Sequence, residues 1–424
     1  MSFKVFWAVV IGTVLEYFDF LLFAHFSLVI APLFFPDSDP ILSAIQGLGL
    51  FAVGFFMRPL GAIIFGKIGD LRGRKPALSV SVLWAALPTF IICFLPTYNA
   101  IGIFAPIILI LCRMAQGLSL GGEYTNSGVL LMEVTPLEKR GFYSSILCAS
   151  ASVGGIIALG CSFVILYSDS PPWAWRIPFF LGSVAGLIGY KMRKILSESP
   201  EFFALQNGQK LTSSFSWKQI LEDKKSFFIT LAIGALVGVL LWTPVTYTNF
   251  YLTKIVEWNA RDAVFMTFLA NITYIAVLPF AGIICDRIGA RTIMLRSTLA
   301  ASFLSYPLFL CLIHGYIAIT QIGFASLVGF FGAAIHHVMI DLYPVQKRCQ
   351  AISLGFSLGL AIFGGTAPMI AAWLVDLTGD HTAPALYISI ISIVAALAMR
   401  SYPLAKRQTE RFRLKASNVT AATD

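Results

Sequence analysis

Several ionisable residues of the first half stand inside apolar runs. Glu16 and Asp19 lie three apart on the first run, hence on one face of a helix, with Tyr17 and His25 on the same run. Arg58 sits in the second run, Arg113 near the middle of the fourth, and Glu123 ten residues beyond it. In lipid such groups are costly and are kept where they face a cavity or a partner. Burial and a neighbouring guanidinium act in opposite senses on a carboxyl's hold on its proton, and that balance suits an acid to load and release one. Asp19, Glu16 and Glu123 are therefore the proton-coupling candidates. Arg113 offers a planar fork for a carboxylate, either a solute's or that of Asp19 when no solute is bound. Tyr17 and Arg58 join it as substrate-binding candidates. Each has a plainer alternative: hydrogen-bonded packing for the acids, a clamp on backbone carbonyls for Arg113, and an architectural role beside Pro59 for Arg58.

The second half is poorer in charge. It offers Trp242, Tyr247 and Tyr251 on the seventh run and Asn271 and Tyr274 on the eighth, a set suited to polar-aromatic contact with a solute. His336 and His337 are adjacent and cannot share a helix face, which argues against a metal pair. No GxxxxGK[ST] loop is present, so a nucleotide motor is not expected. No cluster of catalytic groups suggests an enzyme, and no cofactor is expected beyond a proton gradient.

The elements that must hold these residues are membrane helices. Hydrophobic residues make up 58% of 424 positions and charged residues 12%, with mean hydropathy +0.81; so much apolar surface needs lipid. Twelve runs are long enough to span: 5–33, 42–67, 77–96, 100–132, 141–167, 174–195, 226–254, 263–285, 292–313, 316–340, 349–375 and 384–403. The expected organisation is an all-α membrane protein with an N-terminal six-helix bundle at 1–195, a linker at 196–225, a C-terminal six-helix bundle at 226–403 and a tail at 404–424. The net charge of +9 is concentrated in alternate loops, which by the positive-inside rule places both termini in the cytoplasm. No basic segment has a soluble domain to present it to nucleic acid. The seven cysteines lack CxxC spacing and read as small buried hydrophobes.

Two motif pairs recur half a chain apart. Gly66 to Lys75, GKIGDLRGRK, returns 216 residues later as GIICDRIGAR at Gly282 to Arg291, with Gly66, Asp70 and Gly73 matching Gly282, Asp286 and Gly289. Glu133 to Arg140, EVTPLEKR, returns 208 residues later as DLYPVQKR, Asp341 to Arg348. Such duplication implies two homologous halves with function where they face each other. The charged residues at these helix ends, Asp70, Arg74, Glu133, Arg140, Asp286, Arg287, Asp341 and Arg348, are candidate gate residues, with Gly66 and Gly73 shaping the first hairpin.

These features resemble the major facilitator superfamily over essentially the whole chain. Within it the stretches Glu16-Tyr-Phe-Asp19, Phe51 to Gly61, Arg113 to Glu123 and Glu133 to Gly141 are most similar to the metabolite:proton symporter family. That resemblance implies twelve helices rocking about a central site, in the inner membrane of a bacterium, as a monomer. It further implies inward carriage of a small organic acid or zwitterion with protons, as relatives carry proline, betaine, citrate, oxoglutarate or shikimate. An exporter or antiporter of the same fold, or a solute-sensing transceptor, is the alternative. One departure stands out: where the family's loop motif has Asp-Arg, this chain has Asp70-Leu71, with Arg72 one place on and Arg74 retained.

Overall fold

A computed structural model describes residues 3–35, 40–166, 169–208 and 223–402. Every regular element among them is helical. The first half comprises α1 (Phe3–Phe34), α2 (Pro40–Leu71), α3 (Arg74–Phe94), α4 (Phe104–Val134), α5 (Arg140–Leu166) and α6 (Arg176–Lys194). A short helix α7 (Pro200–Gly208) follows, and the tail expected at 404–424 lies outside the described residues. The second half comprises α8 (Lys224–Phe250), α9 (Ala260–Ile288), α10 (Ala290–Ile313), α11 (Ile317–Gly332), α12 (Ile335–Leu342), α13 (Arg348–Gly359), α14 (Ala367–Thr378) and α15 (Pro384–Arg400).

Ten stretches among the described residues are long and apolar enough to cross a bilayer. Two further helices belong to the same bundle: α15, apolar but only 17 residues long, and α6, whose last turn carries Lys191, Arg193 and Lys194. The outer surface is apolar, with Phe280 and Phe303 exposed to 73% and 75%. Surface of that kind faces acyl chains rather than water.

Two expected spans are interrupted. The run at 316–340 divides into α11 and α12, and the run at 349–375 passes through a π-helical turn at Leu360–Gly364 between α13 and α14. Glycine explains the second break. Gly364 packs against Gly238 of α8 and Gly359 against the carbonyl of Leu231, so the backbones approach too closely for side chains between them. The same device joins α2 to α4: a Cβ on Gly61, Gly117 or Gly121 would strike a backbone carbonyl of the other helix, those of Leu118, Gly54 and Arg58 respectively. These contacts set Arg58 against Gly121 and Gly54 against Gly117 and Arg113.

The duplicated hairpins match in conformation. Gly73 and Gly289, at the starts of α3 and α10, have φ of 110° and 92°, where an L side chain is strained. The halves meet along two seams, α2 against α13 and α5 against α9.

Candidate functional site

The residues expected to form a gate gather at the end of the bundle where the basic residues collect. Each seam is closed by a carboxylate on a helix N-terminus. Asp70, at the end of α2, accepts the backbone N–H groups of Cys349 and Gln350 at 2.9 Å each. Asp286, at the end of α9, accepts those of Gly141 and Phe142 at 2.6 and 3.0 Å. The first motif of each half thus docks on the second motif of the other. N-terminal amides and the helix dipole favour an anion there, so the bonds are strong and directional. Gly66 makes the fit possible: a Cβ would come within 2.6 Å of Gln350 Cα.

Side-chain ion pairs repeat the exchange. Arg348 reaches Glu133 at 2.6 Å, and Arg140 reaches Asp341 at 3.5 Å, each pair crossing between halves. Arg74 adds a second guanidinium to Glu133, with Nη2 to Oε1 at 2.8 Å and Nε to Oε2 at 3.0 Å, and lies 3.8 Å from Asp70. Arg74 is fully buried and Glu133 nearly so. The counterpart of Arg74 in the second half is Ala290, so the seam at Asp286 lacks this brace. Arg287, grouped with the gate on sequence, is exposed.

Two residues of this charged cluster escaped the sequence reading. Glu201 of α7 bonds Arg348 at 2.8 Å and lies 3.8 Å from Arg140, bridging the two symmetry-related arginines from the linker. Glu198 accepts the backbone N–H groups of Arg74 and Lys75 at 2.9 and 3.2 Å and so caps α3. Their signal was Glu198-Ser-Pro-Glu201, an acidic helix start directly after the basic end of α6.

The central residues form two linked clusters inside the first half. In the first, Asp19 Oδ2 accepts the Thr89 hydroxyl at 2.5 Å and the Gln116 amide at 3.4 Å, while Gln116 Oε1 accepts Arg113 Nη1 at 2.7 Å. Asp19 and Arg113 are therefore connected through Gln116 rather than paired directly. Arg113 is fully buried, its guanidinium 4.2 Å from the Phe23 ring and 5.0 Å from the Phe20 ring, with Nη2 unbonded among the described residues. In the second cluster Glu123 pairs with Arg193 and accepts the Ser81 hydroxyl at 2.5 Å. Arg193, unassigned on sequence, reaches across Gly12 of α1 from the basic last turn of α6. Glu16 is buried beside this pair, and Arg58 bonds the hydroxyl of Tyr17.

The second half meets these clusters through rings. Phe20 packs edge-on against Phe55 at 5.5 Å, and Phe55 against Trp242 at 5.8 Å, an aromatic path from Arg113 across to α8. Tyr17 packs on Tyr124, which touches His336 at 4.9 Å. Asn271 and Tyr274 line a small cavity with Gln321, Phe324 and Pro244. Tyr247 and Tyr251 stand apart from it: the Tyr247 hydroxyl bonds His381 Nδ1 at 3.1 Å, and Tyr251 packs on the same imidazole at 5.2 Å. Beside them, outside the spans, the backbone N–H and hydroxyl of Thr382 hold the Asp380 carboxyl below its usual range and fix that loop.

Residues 4–214 match the model of the family described as sugar (and other) transporter, and residues 246–422 match that of the Major Facilitator Superfamily. A glycine betaine/proline/ectoine/pipecolic acid transporter of Dickeya dadantii is 32% identical, over 92% of this chain and 81% of that one. The chain belongs to the major facilitator superfamily. It is a multi-pass membrane transporter. The alpha-ketoglutarate permease of Escherichia coli is 32% identical over 92% of both chains, and a citrate-proton symporter of Klebsiella pneumoniae 30% identical over 91% of this chain and 88% of that one. Among solved structures, the superfamily's proton:xylose symporter XylE bound to 6-bromo-6-deoxy-D-glucose superposes with TM-score 0.77 over 95% of this chain and 96% of that one, at 15% identity. The human organic anion transporter MFSD10 gives 0.67 over 93% and 99%, at 16% identity. At those identities the likeness is one of fold.

Proposed function

We propose that this protein imports a small organic acid or zwitterion together with protons, by alternating access between two six-helix bundles, 1–195 and 226–403, joined by the linker 196–225. The reading counts α11 with α12, and α13 with α14, as single interrupted spans, which makes twelve, and places the basic gate and both termini in the cytoplasm. The single observation that carries it is the buried chain Asp19–Gln116–Arg113, which ends in an arginine nitrogen without a partner. A solute carboxylate fits that nitrogen; the aromatic path from Trp242 to Phe20 suits a solute's cationic or methylated end. When a carboxylate engages Arg113, Gln116 is free to turn, Asp19 loses its link to the guanidinium and takes up a proton. Proton and solute then cross together. The solutes for which the relatives are named, betaines and proline on one side and oxoglutarate and citrate on the other, share the carboxylate this site requires.

Both seams are latched at the basic end, while at the opposite end α5 and α9 part around a cavity of about 330 Å³ between Leu159, Phe163, Arg261 and Phe268. With the basic end in the cytoplasm, this arrangement supports the reading of a carrier closed on that side. The test is reconstitution in liposomes containing a pH dye, with glycine betaine, proline, 2-oxoglutarate and citrate added outside. Internal acidification by one solute, lost in Arg113→Ala, is expected; alkalinisation would mean exchange and overturn the reading.

A further inference from the structure

Asp19 divides its two oxygens between two surroundings. Oδ2 belongs to the Thr89–Gln116–Arg113 chain, whereas Oδ1 has no partner among the described residues, and neither has either oxygen of Glu16. Both side chains are more than nine-tenths buried, at 5% and 7% exposure. Both line one cavity of about 20 Å³ inside the first half, between α1, α3 and α6. Its remaining walls are aliphatic or bare: Ala85 and Ala86 of α3, and Gly182, Gly186 and Gly189 of α6.

A space of that size accepts one water, and a buried water requires polar partners. The three unpaired carboxyl oxygens supply them. The glycines of α6 keep the space open, since a Cβ on Gly182 would stand 3.2 Å from Asp19 Oδ1. A buried carboxyl oxygen left without any partner is otherwise expensive.

We propose that a water in this cavity bridges Asp19 Oδ1 to Glu16 and relays the coupled proton between them. In the transfer the Asp19 O–H bond breaks as the water gains that proton. The water passes another of its protons to a Glu16 oxygen, so the water is regenerated, Asp19 is ionised and Glu16 is neutral. Glu16 lies three residues, about 4.5 Å, nearer the basic end of α1. The charged groups that face it are Asp19 on its own helix, Arg58 of α2, Glu123 of α4 and Arg193 of α6; Asp19 is faced by Arg113 of α4. The proton therefore leaves Asp19 on the side away from Arg113, and its route to the basic end does not pass the solute. Gly182 is the positioning residue for this relay, because its missing side chain leaves the water its place.

The inference rests on the proton-symport reading, and the experiment separates the two. Wild type, Gly182→Ala and Gly49→Ala are compared in the pH-dye liposomes with the same four solutes, alongside exchange of the radiolabelled solute at equal concentrations. A methyl at Gly49 of α2 would meet nothing within 4 Å and lies away from the cavity, so it serves as the control. Gly182→Ala is expected to cut solute-driven proton entry on the order of a hundredfold, the scale of losing a positioned proton-transfer partner, while exchange and the Gly49→Ala variant stay near wild type. Undiminished proton entry in Gly182→Ala overturns the relay and leaves symport standing. Solute uptake by wild type without acidification overturns symport and the relay with it. Should Gly182→Ala not fold, infrared difference spectra of wild type and Glu16→Gln decide: the shared water requires the Asp19 carboxyl band to shift in the variant, and an unmoved band overturns the relay.

Discussion

Asp70 and Asp286, 216 positions apart, hold the same post on opposite halves: each caps the helix that begins with the other half's second motif. Their surroundings differ. Arg74 and Glu133 stand beside Asp70, and Ala290 occupies the place of Arg74 beside Asp286. Arg74 also donates across the α2–α13 seam to the Val345 carbonyl at 3.0 Å, a bond with no counterpart from Ala290, so the two latches are unequal.

Neutralising the two caps measures that inequality. Asp70→Asn and Asp286→Asn each weaken a carboxylate–amide cap by about 1 kcal/mol, but only Asp70→Asn also removes a charge from the Arg74 cluster. The expected outcome is a larger shift toward the cytoplasm-open state in Asp70→Asn, read as spin-label distances across the basic end. Equal shifts would mean that Arg74 does not brace the first seam.

Glu133 neutralises two guanidiniums at once, Arg74 at 2.8 Å and Arg348 at 2.6 Å. Glu133→Gln removes the carboxylate they share and leaves Arg74 with Asp70 alone and Arg348 with Glu201 alone, a loss of up to about 3–5 kcal/mol when a buried pair is broken. A clear drop in unfolding temperature in detergent is expected, and adding Arg348→Gln should recover part of it. A double variant no more stable than Glu133→Gln would show the two residues to be uncoupled.

Two cysteines report on the seams. Cys349 is fully buried against Gly69 and Cys285 against Gly141, each at a docking point of a capping aspartate. In variants retaining one of these cysteines alone, maleimide reaction should be slow, set by gate opening, and faster when Asp70→Asn is added to the Cys349 variant. A reaction rate indifferent to Asp70→Asn would place Cys349 access outside the gating motion.

Arg113→Lys keeps the charge and removes the fork. The guanidinium lies between Phe20 and Phe23 and bonds Gln116 through one nitrogen while another is free for a solute. An ammonium is a compact point charge on a shorter side chain and lacks the planar fork that holds the two groups in fixed directions. Transport is expected to fall by about a hundredfold or more with the fold intact, checked by uptake together with circular dichroism. Wild-type uptake in Arg113→Lys would exclude a bidentate role.

Gly121→Ala tests the α2–α4 register. The added methyl would strike the Arg58 carbonyl, a backbone group that cannot turn aside. Overpacking of this kind costs about 1–3 kcal/mol, and here it also displaces Arg58 from Tyr17. Reduced yield and a lower unfolding temperature are expected, whereas Gly160→Ala, whose Cβ meets nothing within 4 Å, should behave as wild type.

What the sequence determined by itself is what lipid and duplication dictate. Apolar runs of bilayer length must be helices, since no other open backbone satisfies its hydrogen bonds there. The repeated hairpins announced two halves, and Asp70, Glu133, Asp286 and Arg348 were legible because each recurs at a fixed offset. The buried charges were legible because their cost in lipid makes them conspicuous. Partnership was not. Glu123 meets Arg193 and Asp19 reaches Arg113 only through Gln116, because those pairings depend on which helix faces which, a matter decided by glycine contacts between α1, α2, α4 and α6. Tyr247 and Tyr251 share a helix with Trp242 but turn to His381, since five to nine further residues carry them about 7–14 Å along the axis. Glu198 and Glu201 looked like solvated linker charge until α7 folded back beneath the gate. Composition and periodicity specify each helix separately; the site exists only where helices distant in sequence are pressed together, and that geometry belongs to the tertiary structure.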